Sequence, residues 1–531
     1  MTKLQRFIMN GFSLALATIF MRTVAVVFNA YVSASVGAEG MGLFSLVSSV
    51  YGFFITFATS GIGLATMRLV AEAMGRGDKR GEKHVLYHCL FYALLFGGIA
   101  SLAIFFLAEP IGMHLLGDGR TVASLRLFAI SLLPIAMSSV FAGFYNAKRR
   151  SGKNALTQVV EQIIRIFLTV SLLISLLPKG VEYACIALVA GGAIAELLSF
   201  VFMVFTYFLD QRRLSFLYTR KDGDNTDERN GQKRLFGKIC SISLPVAFST
   251  YVRSGLTTLE HVLIPRSLMQ AGGDKEAALS SYGALHGMAI PILLYPASFL
   301  SSFTGLLLPE VAESLARGEK RRLRYIVERS LSFALIFAFL AAGALFLLSE
   351  DLGTLVYKNR EAGFYIAALV PLVPVMYLDT TVDNILKGIG EQFYCMCVNV
   401  LDAGISVLLV LLLLPRFGAL GYVGVLLIAE VFNFSLSAVR LYRRIPFALG
   451  LVHDIFKPGI LVVIASVITR SVFSHFLPSG GLAVLKTVLY LAVSTSFFLL
   501  TGVLNKERRA FLRKAIPEKD RSIRQKKRKS E

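Results

Sequence analysis

The sequence predicts an all-α polytopic membrane protein of fourteen transmembrane helices, arranged as two parallel six-helix repeats plus two C-terminal helices around a central cavity. Three observations predict it. The 531 residues are 55% hydrophobic and 17% charged, against about 45–50% and about 25% in a soluble globular chain. Apolar runs of roughly 20 residues, each able to cross about 30 Å of hydrocarbon as a helix, recur from Phe7 to Leu504. The string VAEAMGRGDKR at residues 70–80 returns 241 positions later, at 311–321, as VAESLARGEKR. Helix propensity alone does not produce such a recurrence.

The repeat extends in both directions. Arg22 lines up with Arg253, Leu177-Pro178 with Leu414-Pro415, and Glu196 with Glu430. Six spans fall in each copy, at 7–34, 43–67, 85–108, 123–147, 154–177 and 183–208, then at 239–264, 279–305, 329–349, 363–386, 393–414 and 418–442. Two more, 457–476 and 482–503, lie outside the repeat. The expected organisation is an N-terminal lobe over 1–209, a cytoplasmic linker over 210–238, a second lobe over 239–444, two further helices over 445–504 and a basic tail over 505–531.

The net charge of +21 raises the question of nucleic acid, and its distribution answers it. With the N-terminus placed inside, the great majority of the 55 Lys and Arg residues fall in inner segments. That is the positive-inside pattern; it puts both termini in the cytoplasm and leaves no basic face for nucleic acid. The tail is suited instead to anionic lipid headgroups. Cys89, Cys185, Cys240, Cys395 and Cys397 are odd in number and sit in or beside apolar spans, so they form no disulfide framework. Neither His84 with His88 nor Asp222 with Asp224 has the further ligands a metal site requires, and no cofactor motif is present. Without a GxxxxGK[ST] loop, ATP hydrolysis by this chain is not expected. The outer loops are short and carry no catalytic constellation, so an enzyme is not expected either.

Ionisable residues within spans are costly and are functional candidates by default. Arg22 lies in the first span and Arg253 at the matching place of the seventh. Glu161 and Arg165 stand one turn apart in the fifth span, the favourable order for an intrahelical pair. The second copy adds Glu260, His261, His286, Asp379, Asp383 and Asp402. Asp379 and Asp383 share a helix face, where two like charges repel and one tends to keep a proton. An even number of spans per repeat gives parallel halves and a cavity between them, onto which Arg22 and Arg253 are expected to converge. Paired arginines suit a phosphate through their fork of donors. With an interior-negative potential, outward movement of a doubly charged pyrophosphate gains about 4.6 kcal/mol per 100 mV. H+ or Na+ is the alternative driver, with Glu161, Asp379, Asp383, Asp402 and Glu260 as its candidate carriers.

Residues 36–44 (VGAEGMGLF), 59–63 with 68–72, 158–165 (QVVEQIIR), and Tyr282-Gly283 through Leu308-Pro309-Glu310 resemble the stage V sporulation protein B and polysaccharide transport group. This group is part of the multidrug, oligosaccharidyl-lipid and polysaccharide exporter superfamily. The resemblance implies a monomeric bacterial plasma-membrane flippase for an undecaprenyl-pyrophosphate-linked saccharide, with the peptidoglycan precursor lipid II as first cargo, in growth or sporulation. Arg22, Arg253, Arg165 and His286 are the residues expected to hold the pyrophosphate. Arg22 matches the first arginine of the lipid II flippase's opening helix; its second basic position is Phe28 or Asn29 here, and His286 is the titratable residue nearest that flippase's eighth-helix arginine. Another lipid-linked polysaccharide unit, or a drug cation as in the superfamily's multidrug exporters, is the alternative cargo.

Overall fold

A computed structural model describes residues 3–148, 150–217, 228–447, 450, 455–476 and 483–501. The tail, residues 218–227 of the linker and the Asp222/Asp224 pair lie outside the described residues. Fifteen α-helices follow one another: α1 Lys3–Thr59, α2 Ile62–Gly75, α3 Lys79–Pro110, α4 Thr121–Ala147, α5 Ser151–Leu176, α6 Val181–Leu217, α7 Glu228–Gln270, α8 Lys275–Tyr282, α9 Ile290–Ala316, α10 Lys320–Asp351, α11 Arg360–Leu369, α12 Val373–Gly388, α13 Gln392–Arg444, α14 Lys457–Phe476 and α15 Ala483–Leu500. No strand occurs among the described residues. In hydrocarbon a helix satisfies its own backbone groups, whereas an open sheet edge would not. Large side chains such as Phe106 (72% exposed) and Phe167 (70%) stand outward, which a lipid-facing surface allows. This is a multi-pass membrane protein.

Nine helical segments among the described residues are long and apolar enough to cross a membrane, or ten if Leu235–Leu244 and Ala247–Gln270, bent by 40°, count as one. The fourteen expected from the sequence are not reached by this count. Part of the difference is that α1 and α13, 57 and 53 residues long, each run continuously through a break. At Gly37 the backbone turns to φ 80°, ψ 175° and at Gly418 to φ 57°, ψ −142°, conformations that glycine adopts without a Cβ penalty.

The sequence repeat is also a repeat of elements. Shifting by 241 carries α3 onto α10, the π-helical turn Ile111–Leu115 onto Leu352–Val356, the end of α4 onto that of α12, and the start of α5 onto that of α13. Gly77 and Gly318, with φ 71° and 69°, make the same turn after α2 and α9. At the next such place the copies differ: Gly117 (φ 69°) is matched by Lys358 (φ 53°), a left-handed position occupied without glycine.

Packing divides the chain into two compact units that do not follow the halves of the sequence. One comprises residues 20–289 and 399–429. Within it α7 is stitched to α1: Thr258 Oγ1 donates to Ser49 O at 3.0 Å and the Tyr251 and Ser60 hydroxyls are hydrogen-bonded. The backbones of α1 and the turn Gly283–Ala289 also touch, since a Cβ on Gly42 would strike Leu279 O and one on Gly283 would strike Ala38 O. The other unit comprises the described residues within 1–19, 290–398 and 430–501. In it α14 and α15 pack on α10 through Ile336, Val462, Ala465, Tyr490 and Phe498. Tyr490 OH donates to Leu340 O at 3.1 Å, and Lys486 pairs with Asp351 at 2.7 Å.

Because backbone leaves no space beside them, Gly42→Val and Gly283→Val should each cost about 1–3 kcal/mol by overpacking. The thermal midpoint of detergent-solubilised protein, followed by circular dichroism, should fall in both. Gly52→Val, where a Cβ meets open space, should change it little.

Candidate functional site

Three polar clusters are built from the ionisable residues of the spans. The first joins α5 and α6. Arg165 Nη2 lies 2.6 Å from Glu161 Oε1 and 2.9 Å from Glu196 Oε1, and Ser199 Oγ donates to Glu161 Oε2 at 3.3 Å. The i, i+4 spacing puts Glu161 and Arg165 on one face, and α6 brings Glu196 to that face. One guanidinium thus answers two carboxylates, so two of the expected residues, Arg165 and Glu161, hold each other. The sequence pattern anticipated that pair; Glu196 entered only through packing.

The second cluster joins α7, α8, the Gly283–Ala289 turn and α13. Tyr282 OH is 2.9 Å from His261 Nδ1, the His261 and His286 rings meet edge to face at 4.3 Å, and His286 Nε2 is 3.0 Å from Tyr422 OH. Tyr422 is hydrogen-bonded in turn to Glu260, which is 8% exposed. Asp402 acts electrostatically on Glu260 and is acted on by Arg253, and its Oδ1 is buried with no hydrogen-bond partner. The structure therefore brings His286, His261 and Glu260 into one string through Tyr282 and Tyr422, with Asp402 and then Arg253 near enough to act on it electrostatically. Tyr282 is marked in the sequence only by the family resemblance, and nothing there distinguishes Tyr422 from a core tyrosine.

The third cluster pairs α12 with the second limb of α13. Asn433 Nδ2 donates to Asp379 Oδ2 and Ser437 Oγ to Asp383 Oδ1, both at 3.3 Å, while Lys387 Nζ lies 3.5 Å from Asp383 Oδ2. Asn433 and Ser437 are four apart, as are the aspartates they meet. That matched spacing was the signal available in the sequence.

Arg22 is exposed and makes no ion pair among the described residues; Arg253 is also exposed and has no carboxylate within ion-pair distance among them. Among the described residues no group of three or more His, Cys, Asp or Glu could hold a metal ion.

Outside the spans, a charged link ties the loop after α3 to the α7–α8 hairpin. Asp118 is bound by Arg120 Nη2 at 2.8 Å and Lys275 Nζ at 3.2 Å, and Arg120 Nη1 reaches Glu39 at 2.8 Å. Arg266 Nη2 donates to Leu115 O at 2.7 Å. Burial alone would raise the Asp118 carboxyl; hydrogen bonds from Arg120 overcome this and hold it below its ordinary value.

Two outcomes follow. A carboxylate with a lowered folded-state pKa stabilises above its unfolded value and loses that contribution as pH falls through the folded one. Asp118→Asn should therefore cost about 1.5–3 kcal/mol of stability at neutral pH, the range for charge-assisted hydrogen bonds, so the thermal midpoint falls, and it should flatten the loss of stability seen on acidification. Arg165→Ala leaves Glu161 and Glu196 facing each other and should cost up to about 3 kcal/mol. Adding Glu161→Gln should recover part of that loss in a double-mutant cycle on thermal midpoints.

The comparisons with known proteins agree with this architecture. The family described as polysaccharide biosynthesis protein matches residues 7–314, more than half of the chain. Stage V sporulation protein B of Bacillus subtilis (strain 168) is 24% identical over 501 residues, covering 93% of this chain and 95% of that protein. Lipid II flippase MurJ of the same organism is 24% identical over 423 residues, 75% of each chain. A solved structure of lipid II flippase MurJ in an inward closed conformation superposes with a TM-score of 0.71 at 15% identity, covering 92% of this chain and 99% of that one. The fold is thus shared with that solved MurJ structure. The helical repeat, the polar clusters within its spans and the match over residues 7–314 together make this chain a member of the polysaccharide biosynthesis protein family.

Proposed function

We propose that the protein is a flippase that moves an undecaprenyl-pyrophosphate-linked saccharide, with lipid II as first cargo, from the inner to the outer leaflet of a bacterial plasma membrane by alternating access. The observation that carries the reading is the state of Arg22 and Arg253. They occupy matching places in the two copies, both are exposed, and neither has a carboxylate at ion-pair distance among the described residues. A doubly charged pyrophosphate would supply the missing counter-charge through two forked donors. Arg165 already meets two carboxylates and joins the pyrophosphate only if they release it. Near-full-length similarity to stage V sporulation protein B, and the likeness to MurJ, support the cargo class.

The proposal includes fourteen spans with both termini cytoplasmic, the limbs of α1 and of α13 each counting as two and α14 and α15 as the last pair. It includes two six-helix lobes, 1–209 and 239–444, facing each other across a central cavity, and one chain as the working unit. Membrane potential or an ion gradient drives the cycle. For H+ or Na+ coupling, Glu260 and Asp402 are the first candidates because they interact with each other and Asp402 Oδ1 lacks a donor. Asp379, Asp383 and Glu161 follow. His286 serves this string through Tyr422.

Fluorescent lipid II in proteoliposomes with an imposed interior-negative potential tests the reading. Wild type should flip it, and Arg22→Ala and Arg253→Ala should each slow flipping at least about tenfold, equivalent to ~1.4 kcal/mol of barrier. Flipping that survives both changes would remove the arginines from the site. Folded protein that moves no lipid II but does move another polyprenyl-linked saccharide would change the cargo alone.

A further inference from the structure

The two copies differ in one place where their backbones match. In the first, Glu82 on α3 and Lys148 just past α4 form a salt bridge of 2.8 Å, 15% and 21% exposed, with the ammonium 4.4 Å from the Phe144 ring centroid. That pair ties the two helix ends together. At the same places in the second copy, 241 positions on, stand Leu323 and Ile389. The junction there is open. A cavity of about 670 Å³ lies between the start of α10, the end of α12 and the end of α13, and Leu323 and Ile389 are in its wall with Ile445.

Its rim is basic. Lys320, Arg324 and Arg444 line it, and Glu391 is the acid among its lining residues. Glu391 is already committed, to Arg440 at 2.7 Å and Arg444 at 2.5 Å, and hydrogen bonds from those two arginines hold its carboxyl below the ordinary range. Arg324 meets Glu328 at 2.8 Å. Lys320 makes no ion pair among the described residues. Against four cations there are thus two carboxylates, and the excess is positive. Arg321 and Arg443 lie on the same helix ends, whereas Arg322 is already paired with Glu310 at 3.3 Å and Glu319 at 3.2 Å. An apolar floor under an unbalanced basic rim, at the end of spans where headgroups lie, fits an anionic amphiphile. A soluble anion would make no use of the apolar wall of Leu323, Ile389 and Ile445, and a zwitterionic lipid would leave the excess charge unanswered.

We propose that this cavity binds an acidic glycerophospholipid of the surrounding leaflet, its phosphate on Lys320, Arg324 and Arg444 and the start of its acyl chain on Leu323, Ile389 and Ile445. The site is distinct from the three clusters within the spans and does not depend on which cargo the protein moves.

The test installs the first copy's ion pair in the second. Leu323→Glu with Ile389→Lys should close the junction with an ion pair whose backbone geometry α3 and α4 already realise. Native mass spectrometry of the purified full chain, with phosphatidylglycerol, phosphatidylcholine and inorganic phosphate as separate probes, reads occupancy. Wild type should retain phosphatidylglycerol at least about tenfold better than phosphatidylcholine, and the double variant should lose that preference. Lys320→Gln, an exposed change that leaves the fold intact, should reduce it several-fold and serves where the double variant does not fold. Unchanged preference in folded double variant, or in Lys320→Gln when the double variant fails to fold, would overturn the proposal. So would inorganic phosphate displacing the lipid at equal concentration, since the site would then read the anion alone.

Discussion

A charge placed in hydrocarbon must find a partner, and the arrangement of this protein's helices is organised by that requirement. The α5–α6 contact is held by one arginine between two glutamates, and α12 is joined to α13 by two carboxylates that each meet a neutral donor. Removing one member of such a set is far costlier than its net contribution, because the remaining charge stays buried. The same requirement gives meaning to a charge left exposed. Arg22 and Arg253 are exposed, and neither has a carboxylate within ion-pair distance among the described residues.

Two copies of one backbone plan make the comparison internal. The 241-residue shift superimposes helix starts, a π-helical turn and a left-handed turn glycine, so differences between copies reflect side chains rather than architecture. Glu82 and Lys148 form an ion pair at the place where Leu323 and Ile389 line a cavity in the second copy. Gly117 takes a left-handed conformation at little cost, where Lys358 takes it with a Cβ. The second copy also holds the His261–His286–Tyr422 string, whose counterpart places in the first copy carry no histidine pair. Duplication supplied the frame, and divergence of single residues supplied the sites.

Membrane character, the repeat and the Glu161–Arg165 pair were legible in the sequence because each is local: hydropathy, recurrence and i, i+4 spacing depend on near neighbours. The third member of that pair's cluster was not, since Glu196 lies 31 residues from Arg165 and only the α5–α6 contact unites them. Asn433 and Ser437 were hidden for the same reason, although their spacing mirrors Asp379 and Asp383. His286 illustrates a different gap. Analogy assigns it to the pyrophosphate, and its neighbours Tyr422 and His261 come to it only through packing.

By itself the sequence determined that the chain lives in a membrane, that its plan is duplicated and which ionisable residues bear the cost of burial, because those follow from composition and periodicity along one dimension. Tertiary structure decided which of those charges are already answered and which are not. It also decided that α7, α8 and the middle of α13 pack with the first half of the chain rather than with their own copy. Electrostatic compensation and close backbone approach are properties of distance in space, and residues far apart in the chain acquire a distance only when helices pack.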